Sequence, residues 1–212
     1  MNPEIEPRVR EQIEKAVAVL KEGGIVAYPT DTVYGLGASV TSLPAIEQVF
    51  SVKARPRSMP LPLLLADVSQ IQEFATEVPP AARALIRAFL PGALTLVLPA
   101  AATVPNIVTA GQSTVALRIP AHPVTLALIK GLGTAITGTS ANSSGQPSPL
   151  TAQEVEEQLG QGIDYIIDGG RCPGGKESTI VDVSTGKPVI LRAGAIPPEK
   201  IREICPELEL ER

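Results

Sequence analysis

The sequence predicts an α/β fold, a single domain built on a twisted, open, mixed sheet, and three observations predict it. Short apolar runs that read as strands alternate with segments of helical periodicity along the whole chain. No long linker, internal repeat or low-complexity tract interrupts that alternation. With 212 residues, 44% of them hydrophobic and 19% charged, the chain has a globular composition and enough length to bury a substantial core.

The elements follow in order. Val9, Ile13, Ala16, Val17 and Leu20 share one helical face, and Gly23-Gly24 supplies the stop. Residues 25–28 form an apolar strand cut by Pro29, and residues 29–39 read as a loop. Ile46, Val49 and Phe50 mark a short helix, followed by a basic, Pro-containing loop over 53–59 and an apolar strand over 61–65. Helical patterns occupy 68–75 and 80–90, the second ended by Pro91-Gly92. Strands are expected over 94–98 and 114–119 with a polar loop between them, then a helix over 123–130 and a strand from 134 to 137. A hydroxyl-rich loop covers 139–149, after which Thr151 and Glu154 have the spacing of a capping box for a helix ending near Gly160. The remainder reads as a strand (163–167), a glycine loop (169–177), two strands (178–183 and 189–192) and a helix (198–204).

Composition excludes several classes. Eighteen Lys and Arg against 22 Asp and Glu give a net charge of −4, which opposes non-specific nucleic-acid binding as the main task. A local basic groove is compatible with that total. The absence of Trp, with three Tyr and three Phe, leaves little for an aromatic RNA-stacking platform. No apolar run approaches a membrane span, and Met1-Asn2-Pro3-Glu4-Ile5-Glu6 has neither a basic nor an apolar signal region. Two cysteines, Cys172 and Cys205, without a CxxC pair, favour a reduced cytoplasm, although one disulfide is possible. The single histidine, His122, excludes a His-rich metal site and reads as a turn residue.

Several stretches carry polar chemistry. Pro29-Thr30-Asp31-Thr32-Val33-Tyr34-Gly35-Leu36-Gly37 follows a buried strand. Its hydroxyls, carboxylate and glycines suit a small polar ligand, and they equally suit a turn whose side chains satisfy the backbone. Lys53-Ala54-Arg55-Pro56-Arg57 places three cations in five residues on a loop stiffened by Pro56 and Pro60. That is a phosphate clamp or a solvated basic loop. Residues 137–149, rich in Ser, Thr, Asn and Gly, either cradle an anion or fill a surface loop. The segment 170–176 matches GxxxxGK, but Glu177 stands where a P-loop needs Ser or Thr, and a strand rather than a helix follows. We reject the P-loop and favour Ser178 and Thr179 as ligand groups. Arg118 and Arg192 end apolar strands, where each requires an acidic partner of the fold or a wet cleft.

In combination these segments resemble the YrdC-type threonylcarbamoyl-AMP synthase family. The resemblance runs from Gly23-Gly24 to Arg192-Ala193-Gly194 and rests on seven motifs in order. They are the Pro29–Gly37 run, Lys53-x-Arg55-Pro56, Pro91-Gly92-Ala93-Leu94-Thr95, Arg118-Ile119-Pro120, Ser140-Ala141-Asn142, Ser178-Thr179-Ile180 and Leu191-Arg192-x-Gly194. It implies a YrdC-like fold with a concave basic cleft, in the family's single-domain form over residues 1–212. It implies that L-threonine, bicarbonate or CO2, and ATP with Mg2+ give threonylcarbamoyl-AMP and pyrophosphate. The product would feed a tRNA-threonylcarbamoyl transferase machinery for threonylcarbamoyladenosine in tRNA.

By the same resemblance, Lys53, Arg55, Ser140 and Asn142 are the catalytic set on the nucleotide side. Arg57, Thr114, Ser148 and Arg192 join them around ATP, and Thr30, Arg118 and Ser178 hold threonine. No protein metal ligand is implied. Some relatives carry a His in the strand after the basic loop, where this chain has only apolar residues and Pro over 61–65. The rival function is an RNA-binding module that uses the same cleft without adenylation, and weak RNA contact is compatible with the enzyme as well.

Overall fold

The computed structural model describes residues 5–210, so most of the start read for a signal, Met1 to Glu4, lies outside the described residues. Helix α1 (Pro7–Lys21) begins with Pro in its first turn, where the missing N–H costs nothing, and Gly23 turns the chain at φ +87°. Then come β1 (Val26–Tyr28), β2 (Gly35–Gly37), α2 (Leu43–Lys53), β3 (Leu63–Leu64), α3 (Ile71–Phe74), α4 (Pro80–Phe89), β4 (Leu94–Pro99) and α5 (Asn106–Thr109). They are followed by β5 (Thr114–Arg118), α6 (Pro123–Leu132), β6 (Ile136–Thr137), β7 (Thr139–Ser140) and α7 (Ala152–Leu159). The chain continues through β8 (Tyr165–Ile166), β9 (Thr179–Asp182), β10 (Val189–Arg192), α8 (Pro198–Ile204) and β11 (Glu209–Leu210).

The expected mixed α/β architecture is present, but its strands are divided between two sheets. One has the order β7-β2-β1-β8 and the other β11-β10-β9-β4-β5-β3-β6, each with parallel and antiparallel neighbours. The strands beyond those expected, β2, β7 and β11, are two or three residues long, and β2 is Gly-Leu-Gly. Such segments carry no readable strand pattern. The segment 68–75 splits into a 3₁₀ turn and α3, with a capping box formed by Asp67 and Gln70. At α7 only half of the expected box forms: Thr151 accepts from the Glu154 N–H, while the Glu154 carboxylate accepts from Leu150 N at 2.6 Å.

Alternation in the larger sheet separates core from cavity. Leu94, Leu96 and Leu98 of β4, Val115 and Leu117 of β5, and Val181 of β9 enter the main hydrophobic cluster with α2, α4 and α8. Thr95 and Val97, Thr114, Ala116 and Arg118, and Ile180 and Asp182 point the other way and line a cavity. A second cluster locks α1 and α6 over β1 through Ala16, Leu20, Leu128 and Ile129. Burying each of those larger apolar side chains contributes roughly 1.5–3 kcal/mol. Among the described residues no helix is long and apolar enough to cross a membrane.

Candidate active site

The cavity measures about 550 Å³ and is walled by both sheets, a volume in the range of small-molecule sites. Of the residues expected to bind ligand, Thr30, Arg55, Thr114, Arg118, Ser140, Ser178 and Arg192 line it. Lys53, Arg57, Asn142 and Ser148 do not line it.

Thr30 sits where β1 ends. Its Oγ1 donates to Val33 O at 2.7 Å and accepts from the N–H groups of Thr32 and Val33, so the turn reading of this loop is realised in full. The turn still delivers Thr30 and Thr32 to the cavity wall. Gly37 is required because a Cβ there would lie 1.9 Å from the carbonyl oxygen of Thr137.

Arg118 ends β5 and is buried. Its Nη2 reaches Asp31 Oδ1 at 2.7 Å, Nη1 reaches Thr32 Oγ1 at 3.0 Å, and Nε reaches Gly92 O at 3.0 Å. Both readings of this arginine therefore hold: it has an acidic partner, and it faces the cavity. A guanidinium carries five N–H groups, so two are left for a ligand.

Arg192 reaches the cavity through a β-bulge. Ile190 pairs with Val181 and belongs to the core, yet Arg192 rather than Leu191 pairs with Ile180. The extra residue brings Leu191 and Arg192 to the same face. Arg192 then donates through Nε and Nη2 to Ser178 O, and through Nη2 to Ser178 Oγ at 3.2 Å. Arg55 donates to Pro60 O at 2.8 Å. Its pKa is lowered by burial and by Arg192; that of Arg192 is lowered by burial, raised by the Glu177 carboxylate and lowered by Arg118. The guanidiniums repel one another across the cavity, and Glu177 offsets part of that repulsion at Arg192. The cleft is not uniformly basic, since Glu177 and Asp182 also line it.

Lys53 ends α2 rather than standing in the loop after it, and it is 2% exposed. Its Nζ donates to the carbonyls of Ser140 and Asn142, both at 2.5 Å, and to Asn142 Oδ1 at 3.3 Å. Burial, with Arg55 as the lesser cause, lowers its pKa to about 8. Asn142 is locked in the same knot: Oδ1 accepts from Ser140 Oγ and Nδ2 donates to Gln146 O at 2.7 Å. Lys53 and Asn142 therefore shape the loop that presents Ser140. Arg57 is exposed and paired with Glu47, and Ser148 donates to Glu177 Oε1. The rejected P-loop ends in an exposed Lys176 with β9 beyond it, and its Gly174 lies against the Asp31–Thr32 backbone.

Sequence reasoning passed over Thr95 and Tyr28 as cavity residues, and named Thr32 only within the 29–37 run. A threonine inside Leu94-Thr95-Leu96 is ordinary strand composition, so it carries weaker notice than an arginine in the same setting. Tyr28 is fully buried and donates to Thr137 O at 2.9 Å, and burial raises its pKa.

Two mixed sheets bring guanidinium and hydroxyl groups, together with the carboxylates of Glu177 and Asp182, to one cavity of an α/β protein. The chain belongs to the family whose model is named for Sua5, YciO and YrdC and described as telomere recombination, which matches residues 18–194. The threonylcarbamoyl-AMP synthase of Pyrococcus abyssi is 42% identical over 207 residues, 95% of this chain and 61% of that protein. The threonylcarbamoyl-AMP synthase of Bacillus subtilis is 42% identical over 95% of this chain and 58% of its own. The chain thus spans about three fifths of the length of these curated relatives. The crystal structure of P. abyssi Sua5 complexed with L-threonine superposes with a TM-score of 0.91 at 42% identity, over 94% of this chain and 58% of that one.

Proposed function

We propose that this chain is a threonylcarbamoyl-AMP synthase acting in the cytoplasm, with residues 1–212 as one catalytic domain. Its substrates are L-threonine, bicarbonate or CO2, and ATP with Mg2+. The observation that carries this reading is the convergence of Arg55, Arg118 and Arg192 with the hydroxyls of Thr30, Thr32, Ser140 and Ser178 on one cavity. The names of the curated relatives support it.

The threonine amine attacks the carbon of CO2 and loses a proton, or that of bicarbonate with loss of water, to give a carbamate. A carbamate oxygen then attacks the α-phosphorus, the bond from that phosphorus to the bridging oxygen breaks, and pyrophosphate leaves with the electron pair. An anion must approach an anion, and fixed guanidiniums offset that repulsion without reorganising. Arg118 holds the threonine carboxylate beside Thr30 and Ser178. Arg55, Arg192, Thr114 and Ser140 face the nucleotide, while Lys53 and Asn142 fix the Ser140 loop, Ser148 holds Glu177, and Arg57 meets the outer phosphates. We assign the Mg2+ to the nucleotide as Mg·ATP. The product would pass to a tRNA-threonylcarbamoyl transferase system.

Pyrophosphate release is expected only when ATP, threonine, bicarbonate and Mg2+ are all present. Equal release with threonine omitted contradicts the reading. Tight, steeply salt-dependent RNA binding without pyrophosphate release would favour the RNA-binding module instead.

A further inference from the structure

Thr95 is the second residue of β4, 1% exposed, with its hydroxyl facing the cavity rather than the core. Among the described residues its Oγ1 has one hydrogen-bond partner, Ser178 Oγ at 2.8 Å. Ser178 is in turn held from three sides. Arg192 donates to its carbonyl through Nε and Nη2 and to its Oγ through Nη2. Gly194 packs so tightly on its backbone that a Cβ there would lie 2.3 Å from the Ser178 carbonyl carbon.

The proton count of this cluster is constrained. A hydroxyl has one proton and two acceptor positions, and a guanidinium only donates. Ser178 Oγ therefore accepts from Arg192, one proton bridges the Thr95–Ser178 pair, and one hydroxyl proton is left over. Ser178, 5% exposed, is the more open of the two. When Thr95 donates to Ser178, both acceptor positions of Ser178 are filled and its own proton can point only into the cavity.

We propose that Thr95 is a positioning residue, which commits the Ser178 hydroxyl as a hydrogen-bond donor to an anionic oxygen of the bound amino acid. The ligand class rests on the proposed function. The cluster turns a side chain able to donate or accept into a donor alone, which favours a carboxylate or carbamate oxygen over an ammonium at that point of the site.

Calorimetric titration of threonine and of ATP, with the parent and four variants, tests this. Thr95→Val keeps the shape and removes the hydroxyl, Thr95→Ser keeps the hydroxyl and removes a methyl, and Ser178→Ala removes the donor. The double variant Thr95→Val/Ser178→Ala closes the cycle. Thr95→Val is expected to weaken threonine about tenfold and ATP by less than about twofold, with Thr95→Ser close to the parent and the double variant no weaker than Ser178→Ala. The inference is overturned if Thr95→Val leaves threonine binding unchanged. It is equally overturned if Thr95→Ser loses as much as Thr95→Val, if the two losses add, or if threonine and ATP weaken together with a fall in Tm. A parent chain that binds ATP but no threonine overturns the proposed function itself, and the Thr95 assignment with it.

Discussion

Lys53→Met is expected to cut turnover by about a hundredfold or more, the scale of a lost preorganised transition-state arrangement, while Lys176→Ala stays within a few-fold of the parent. The two lysines invert what a motif search would choose. Lys176 follows GxxxxGK but is exposed, has Glu177 beside it and no helix beyond it. Lys53 is buried, and its ammonium ties together the Ser140 and Asn142 carbonyls and the Asn142 amide oxygen. Removing it leaves the Ser140 and Asn142 carbonyls without this donor, at about 1–3 kcal/mol for each that stays dry, while Asn142 Oδ1 keeps its bond from Ser140 Oγ. The Ser140 loop then loses its fixed shape. The same geometry gives a pH dependence: the ammonium has three donors for three acceptors, and the amine has two. With the pKa lowered to about 8, the parent's rate should fall as pH rises through that value. Circular dichroism and thermal unfolding of both variants separate a loosened loop from a lost fold. A live Lys53→Met and a dead Lys176→Ala would return the phosphate site to the rejected loop.

Arg118→Lys is expected to weaken threonine binding roughly ten- to a hundredfold, the loss of a charge-assisted pair worth about 1.5–3 kcal/mol. ATP affinity should change far less. The lysine keeps the charge opposite Asp31, so the buried pair is not left with an unpartnered carboxylate. What it cannot keep is the planar fork, whose Nε is fixed by Gly92 O and whose two Nη atoms reach Thr32 and Asp31. The remaining N–H groups of that fork are aimed by these three anchors. Titration calorimetry with threonine and with ATP checks the expectation. An equal loss for both ligands would assign Arg118 to the nucleotide side or to the fold alone.

What was legible in the sequence divides along physical lines. Helices with an apolar stripe and a stop, such as α1, α4 and α6, announce themselves, as do the apolar strands β4 and β5. The sheet of β7, β2, β1 and β8 does not, because two of its strands hide inside segments whose glycines and hydroxyls read as loop. At the site, arginines in apolar strands were conspicuous, since a buried charge demands an explanation. The direction in which a lysine at a helix end turns is set by distant carbonyls, Ser140 and Asn142, and no local pattern encodes it. The bulge that re-aims Arg192 is likewise a matter of pairing register rather than composition.

In the proposed reaction one cavity joins threonine, a one-carbon acid and the α-phosphate of ATP. Incubating the chain with Mg·ATP, threonine and carbon-14 bicarbonate, then resolving the nucleotides, follows that carbon. Label is expected in a new adenylate that forms only with threonine present and in step with pyrophosphate. Pyrophosphate released with threonine but with no label in any nucleotide would mean that the carboxylate of threonine, rather than its carbamate, is adenylated, and would overturn the proposed function.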